Sequence, residues 1–432
     1  MAEPRIDENL IRYGSAFSPW LIEKARGSYV YDTEGRAILD FTSGQMCSTL
    51  GHNHPKIVEA VKKACDGAIH LFSGMLSPPV VKLAARLAEM LPGRLSRSIF
   101  LSTGGEANEA ALRMAKLHTG GFEVIGLTGS WHGMTGAAAA STYVAGRRGY
   151  GPATPGNMAI PAPNAFRCPI RHCKGTCDTT CLDVGFDMVD AQTTGAPAAV
   201  LAEPVQSSGG VIVPPQGYLP KLKQKCEERG MLLILDEAQT AFGRLGADFA
   251  SDIFNVEPDI LTVSKTLGGG LPLAAACTTP EIEDDCHSKR FLHVTSHVSD
   301  PLPAEVGLAV LEVLEEENLN ERARETGAHL KAGLESLMQK HEVIGDVRGM
   351  GMLYGVELVK DRHSREPDPE LGQAITRRCM ELGLSMNIVS VPGSTMSAVW
   401  RIAPPLTATT QEIDLGLEML DQAVSEVVAG RG

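Results

Sequence analysis

The chain has no apolar run approaching the length of a membrane span, which excludes a transmembrane helix. Its first residues, MAEPRIDENLIRYG, are polar and acidic and lack the hydrophobic core of a secretory signal, so a cytoplasmic protein is expected. Positive charge is in short supply. The 39 Lys and Arg stand against 52 Asp and Glu, a formal net charge of −13. Nucleic acid or an anionic membrane would call for a basic face, so neither is expected and small molecules are the anticipated partners. Low-complexity stretches are absent, as are a Gly-Lys-Ser/Thr phosphate loop and a G-x-G-x-x-G turn after an early strand. The last absence argues against a dinucleotide-dependent dehydrogenase. With 43% hydrophobic and 21% charged residues, the 432-residue chain reads as globular, with one large domain and a smaller one.

Two short runs organise what is there. Residues 231–236 (MLLILD) and 259–265 (DILTVSK) each read as a fully apolar strand ending on a polar group. In an open α/β sheet, ligands sit at the carboxyl ends of such strands. One run delivers Asp236, followed by Glu237 and Gln239; the other delivers Lys265 and then three glycines. A lysine beside an aspartate at that edge suits an imine-forming cofactor with a basic ring nitrogen. A helix cap and a solvated loop lysine are the plain alternatives.

Three further stretches fit one phosphorylated cofactor. In SIFLSTGGEANEAALRMAK a strand over 98–102 runs into Thr103-Gly104-Gly105, and a helix is predicted from near Glu106. Free amides, a positive dipole end and a hydroxyl make that turn a phosphate seat. Trp131 follows a strand over 123–127 and stands among small residues in SWHGMTGAAAA, where an aromatic can stack on a flat ring; a core tryptophan is the alternative. Arg401, between a strand-like 398–400 and Pro404-Pro405, is the cation that could hold a carboxylate bidentately, with a surface or ion-paired arginine as the alternative.

Ten cysteines are many, but six are scattered like packing residues. Cys168, Cys173, Cys177 and Cys181 cluster in CPIRHCKGTCDTTCLD around His172. Their spacing departs from the paired C-x-x-C of common zinc sites, and metal binding, disulfides and free thiols all stay open. His52 and His54 in GHNHP read as turn residues ahead of a helix over 56–68. Further helices are predicted over 79–90, 218–229, 303–317, 320–341, 368–382 and 412–428. The resulting domains are an N-terminal segment 1–50 joining the small domain, a large cofactor-binding domain 51–305, and a small α+β domain 306–432.

In order along the chain, STGGEANEAALRMAK, SWHGMTGAAAA, ILDEAQTAFGR and ILTVSKTLGGGLPLAA resemble the class III aminotransferase family of pyridoxal-phosphate enzymes. The resemblance covers nearly the whole chain. It implies fold type I: α/β, a mainly parallel central sheet wrapped by helices, plus the smaller domain. Within that family, FTSGQMCS, TSHVSDPLPAEVG and GLSMNIV with WRIAPPLT are similar to the 2,2-dialkylglycine decarboxylases.

Carried over by position, Lys265 bears pyridoxal 5'-phosphate as a Schiff base, Asp236 pairs with the ring nitrogen and Gln239 meets the ring hydroxyl. Trp131 stacks on the ring. Thr103, Gly104 and Gly105 hold the phosphate, with Ser296 reaching over from a partner subunit, so a homodimer or homotetramer is implied. Gln45, Met134, Ser208 and Arg401 line the substrate pocket. An alkali cation, potassium or sodium, falls at Leu71, Ser73, Ser296, Val298 and Asp300, whose hard oxygens suit it. Ser296 stands where threonine is the family pattern, leaving cation preference open. The cysteine excursion and the loop over 392–398 have no counterpart.

The implied reaction is decarboxylation-coupled transamination: a 2,2-dialkylglycine such as 2-aminoisobutyrate gives a ketone and CO2, and pyruvate then takes the amine as alanine. Gln45 and Lys265 would hold the departing carboxylate, with Lys265, Gln45 and Trp131 as catalytic residues. The alternative is an ordinary aminotransferase with Gln45 as polar packing. A cofactor-binding protein without catalysis is the third reading.

Overall fold

The computed structural model describes residues 9–14, 17–18, 20–145, 147, 149–170, 177–389 and 398–431. Near the N-terminus, β1 (Ile22–Arg26), β2 (Tyr29–Asp32) and β3 (Ala37–Asp40) form antiparallel pairs. The central sheet follows: β4 (Arg97–Leu101), β5 (Glu123–Leu127), β6 (Asn157–Ile160), β7 (Pro197–Ala202), β8 (Leu232–Asp236), β9 (Ile260–Val263) and β10 (Ala274–Thr278). Its spatial order is β4-β10-β9-β8-β7-β5-β6, with β10 antiparallel to both neighbours and the other pairs parallel. Five of these strands are legible as apolar runs; β6 and β10 are additions. Strands covered on both faces carry no alternation, and β5 and β9 are buried throughout.

Helices supply both covers. Leu182 and Phe186 of helix Thr180–Gln192, with Leu219 and Leu222 of helix Tyr218–Glu227, pack on one face. Ala107, Ala110, Ala111 and Met114 of helix Gly104–Thr119 pack on the other, where small side chains let the helix lie close to the strands. That helix starts two residues before the predicted point because Thr103 caps it.

The C-terminal layer holds β11 (Ile344–Met350), β12 (Leu353–Leu358), β13 (Leu384–Ser385), β14 (Asn387–Val389) and β15 (Val399–Ile402). Four of them form the antiparallel sheet β11-β12-β15-β14, while β13 pairs in parallel with β3. Arg401 is predicted to lie just past a strand; instead β15 runs on to Ile402, and Arg401 stands inside it opposite Gly355 and Asn387. The predicted helix over 56–68 is shorter, Pro55–Cys65. Long helices at Pro301–Glu316, Leu319–Lys340, Pro369–Leu382 and Thr410–Ala429 match the predicted ones within a few residues. No helix among the described residues is long and apolar enough to cross a membrane.

One buried side chain joins these layers. Arg244 donates to the carbonyls of Met352 (3.0 Å) and Pro404 (2.6 Å) and to the hydroxyls of Ser43 and Thr49 (3.2 Å each). All four acceptors are neutral, and burial, aided by the nearby Arg401 charge, pushes its guanidinium down to about 9. Removing a buried cation's side chain strands its acceptors, so Arg244→Ala is expected to cost about 3 kcal/mol in urea unfolding. A loss below about 1 kcal/mol would show that the layers hold without it.

Candidate active site

Strands β8 and β9 lie side by side and in parallel, so their carboxyl ends deliver Asp236 and Lys265 to one edge. Asp236 is buried, and its Oδ2 accepts from Asn108 Nδ2 at 2.7 Å and lies 2.8 Å from His132 Nδ1. Asn108 is fixed in turn, accepting from the Thr262 hydroxyl at 2.8 Å and donating to the His132 carbonyl at 2.8 Å. Burial opposes the charge on Asp236, but the His132 and Asn108 bonds outweigh it and hold the carboxyl below its ordinary 3.8. Among the described residues Oδ1 accepts only the Ala238 amide, at 3.0 Å, and keeps lone-pair capacity for another donor.

Lys265 opens a single 3-10 turn at a φ of 47°, a left-handed backbone that side chains avoid unless held there. Burial lowers its ammonium below the ordinary range against the pull of Asp236, and Arg401 adds to the lowering. No ion pair engages its Nζ among the described residues. The result is a buried amine with an elevated share of the neutral, nucleophilic form.

Around Lys265 is a cavity of about 360 Å³ lined by Gln45, Trp131, Ser208, Gln239, Ile388 and Arg401, among others. Arg401 Nη1 donates to Gln239 Oε1 (3.0 Å) and Ser208 Oγ (3.2 Å), and Gln239 Nε2 reaches Ser208 Oγ at 3.3 Å. Burial pushes the Arg401 guanidinium down to about 10, with Glu203 pulling the other way. A desolvated cation with only neutral partners favours an incoming carboxylate.

Gln45 enters this cavity by an unusual route. Ser43, Gly44, Gln45 and Met46 all have positive φ (47°, 51°, 64° and 64°), one turn of left-handed helix. The three non-glycine residues cost roughly 1–2 kcal/mol each. Asp40 holds the turn, its Oδ1 accepting from the Thr42 amide (2.8 Å) and hydroxyl (2.5 Å) and its Oδ2 from the Gly44 amide (2.8 Å). His52 Nε2 also meets Oδ2 at 2.8 Å, which gives this histidine a turn-bracing role rather than a metal one.

At the predicted phosphate seat, Thr103 Oγ1 accepts the Glu106 amide at 3.3 Å, and Glu106 Oε2 accepts the amides of Ser102 (3.0 Å) and Thr103 (3.1 Å). The Thr103 hydroxyl therefore caps its own helix, and the first-turn amides of Gly104 and Gly105 lack an intrahelical acceptor. A Cβ on Gly133 would stand 2.7 Å from Gly105 Cα, so this edge is kept open by two glycines in contact.

Of the other predicted residues, Met134 is 56% exposed and outside the cavity lining. Ser296 is also exposed. Asp300 is hydrogen-bonded to His70 and His297 at 2.6 Å each, which brings the segment carrying Leu71 and Ser73 beside the one carrying Ser296 and Val298. Glu237, next to Asp236, accepts from the Ala250 and Ser251 amides and the Thr240 hydroxyl; it is a structural cap. Cys173 and His172 lie outside the described residues, as does the loop over 390–397; Cys168, Cys177 and Cys181 are free thiols.

The profile of the family described as Aminotransferase class-III matches residues 12–424. The chain belongs to the class III aminotransferases. It is 50% identical over 420 residues to an uncharacterized aminotransferase of Schizosaccharomyces pombe, covering 97% of this chain and 93% of that one. It is 33% identical over 429 residues to human mitochondrial alanine–glyoxylate aminotransferase 2, covering 94% and 82%. Among solved structures, the omega transaminase of Pseudomonas jessenii in complex with PMP superposes with a TM-score of 0.90 at 28% identity, covering 97% and 96%. The fold is thus the pyridoxal-phosphate type I fold, and pyridoxal phosphate is the cofactor expected of this family member.

The residues present fit that group. Asp236 offers an ionised carboxylate to a protonated ring nitrogen, Lys265 an amine to the aldehyde carbon, and the Gly104–Gly105 amides a phosphate seat. Three contributors lie outside the expected site set: Asn108, His132 and Glu203. Two of them carry a signal in the sequence: Glu203 follows an apolar strand as Asp236 and Lys265 do, and Asn108 is the one polar residue on a buried, apolar helix face.

Asp236 stays ionised because of Asn108 and His132, so its contribution to stability is complete above its ordinary 3.8 and is lost as pH falls through its lower folded value. Asn108→Ala is therefore expected to raise the pH midpoint of acid unfolding. It is also expected to weaken pyridoxal phosphate binding about tenfold in equilibrium dialysis. Unchanged values for both would remove Asn108 from the site.

Proposed function

We propose that this enzyme transfers amino groups between an amino acid and a 2-oxo acid. The observation that carries the reading is Arg401 and Lys265 on one cavity, with the cation bonded, among the described residues, only to neutral oxygens. Pyridoxal phosphate, when bound, supplies the electron sink that allows a bond to the substrate Cα to break. The chain does the rest. Arg401 exchanges the Gln239 and Ser208 oxygens for the substrate carboxylate, which sets the orientation of Cα. Lys265, whose ammonium form burial disfavours, would take the proton from Cα and deliver it to the carbon that was the cofactor aldehyde. Trp131, Val144 and Ile388 form apolar walls that limit water. The aminotransferases among the relatives support this reading over a decarboxylating one.

One observation favours a second, narrower reading. Asp40 sustains a strained left-handed turn whose tip puts Gln45 beside Lys265. Strain of this kind persists only where the surrounding structure over-determines it, and it clusters at active sites. Gln45 and Lys265 together would hold a carboxylate at the position from which CO2 departs, while Arg401 serves the pyruvate half-reaction. The alkali cation at Leu71, Ser73, Ser296, Val298 and Asp300 belongs to that reading. A homodimer, with Ser296 serving the partner's site, is supported by the exposed apolar residues Phe72, Met75, Leu76, Leu292 and Val294 flanking it.

Two assays separate these readings. With an L-amino acid and pyruvate the holoenzyme is expected to form alanine, and Arg401→Met to lower kcat/KM about 100-fold. Activity unaffected by Arg401→Met would overturn the carboxylate assignment. With 2-aminoisobutyrate and pyruvate, CO2 and acetone that vanish in Gln45→Ala while alanine exchange persists would establish the decarboxylating cycle. Exchange without either product leaves the enzyme a plain aminotransferase.

A further inference from the structure

Glu203 follows the end of β7 and is buried, yet it carries no ion pair among the described residues. Its Oε1 accepts the Trp131 amide at 2.8 Å and its Oε2 accepts the Ser207 amide at 3.1 Å. Trp131 is one wall of the cavity. Ser207 leads directly into Ser208, which touches Arg401 and Gln239 on the other side. The Ser207 hydroxyl also reaches the Met46 sulfur at 3.7 Å, next to Gln45 in the left-handed turn. One carboxyl group therefore ties the residue expected to stack on the cofactor to the segment facing Arg401, and that segment in turn touches the turn that presents Gln45.

We propose that Glu203 is a positioning residue that sets the separation of the walls between which the amino donor binds. The inference rests on the cavity around Lys265 and Arg401 being the donor site, and not on which reaction follows. A buried group tying two backbone amides together is also what a plain loop staple would look like. What distinguishes Glu203 is where its two amides lead: Trp131 lines the cavity itself, and Ser207 precedes Ser208, which lines it and accepts from Arg401. Burial, with Asp236 adding to it, pushes the carboxyl up to about 7 against the opposing influence of His132. The titratable and charged groups facing it are His132, Asp236, Lys265 and Arg401, all at the site. As a carboxylate it accepts both amides with charge-assisted bonds; as the acid, one oxygen carries a proton and the grip on one wall weakens.

The test uses the holoenzyme with one L-amino acid donor and pyruvate, followed from acid to alkaline pH. The parent is expected to show donor KM rising about tenfold as pH falls through 7, with kcat changing much less. Glu203→Gln presents an N–H to one of the two amides, so its KM is expected to be high at every pH and the step near 7 absent. Glu203→Asp keeps the ionisation and is expected to restore the step. A step of the same midpoint in Glu203→Gln, or KM and kcat equal to the parent throughout, overturns the proposal. Should Glu203→Gln not fold, Trp fluorescence of the parent, with Trp131→Phe as the blank, is expected to titrate near 7. A Trp131 signal flat across that range overturns the proposal equally. A failed donor-site reading is recognised separately, by a KM that ignores Arg401→Met.

Discussion

Everything at this site depends on keeping one carboxylate charged where water is excluded. Asp236 stands at the end of a fully buried strand, and burial alone would favour its neutral form. Thr262 from β9 and His132 from the loop after β5, linked through Asn108 on a covering helix, reverse that preference. Three separate elements are thus committed to the charge of a single group. The neighbouring lysine gains from the same burial, because desolvation that penalises the carboxylate also penalises the ammonium. The opposing demands of an acid kept ionised and a base kept partly neutral are met within one cavity.

The second constraint is mechanical. Substrate-facing groups come from three sheets: Lys265 and Gln239 from the central one, Gln45 from the turn after β3, and Arg401 from β15. Their convergence requires the layers to be locked, and Arg244 bonds to the turn after β3, to the segment before β12 and to the segment after β15. The strain in the Ser43–Met46 turn is offset by Asp40, whose carboxylate is kept ionised against burial by His52 and Thr42. Glu203 continues the pattern, a buried acid whose bonds are to backbone rather than to substrate.

Much of this was legible in the chain. Apolar runs that stop at Asp236 and Lys265 report fully covered strands, because only such strands dispense with polar alternation. The long helices after residue 300 are legible to within a few residues from their apolar periodicity. What stayed hidden was tertiary. Asn108 and His132 matter only because β8, β9 and the covering helix meet. Arg401 stands out in the sequence as a carboxylate-binding cation, but its place inside β15 reflects pairing with β12 and β14 that no local pattern announces. Met134, placed in the pocket by family resemblance, is at the surface, and the Thr103 hydroxyl is engaged in its own cap. The left-handed turn is similarly silent: Ser, Gln and Met rarely adopt that backbone, and only Asp40 and its surroundings impose it.

Whether Lys265 is the residue that carries the cofactor can be read directly. The holoenzyme is reduced with borohydride, digested and mapped by mass spectrometry, which fixes the attachment point irrespective of substrate. A pyridoxyl group on the peptide containing Lys265, and on no other lysine, is the predicted result. A label on a different lysine, or a reduced protein whose cofactor dialyses away, would contradict the site described.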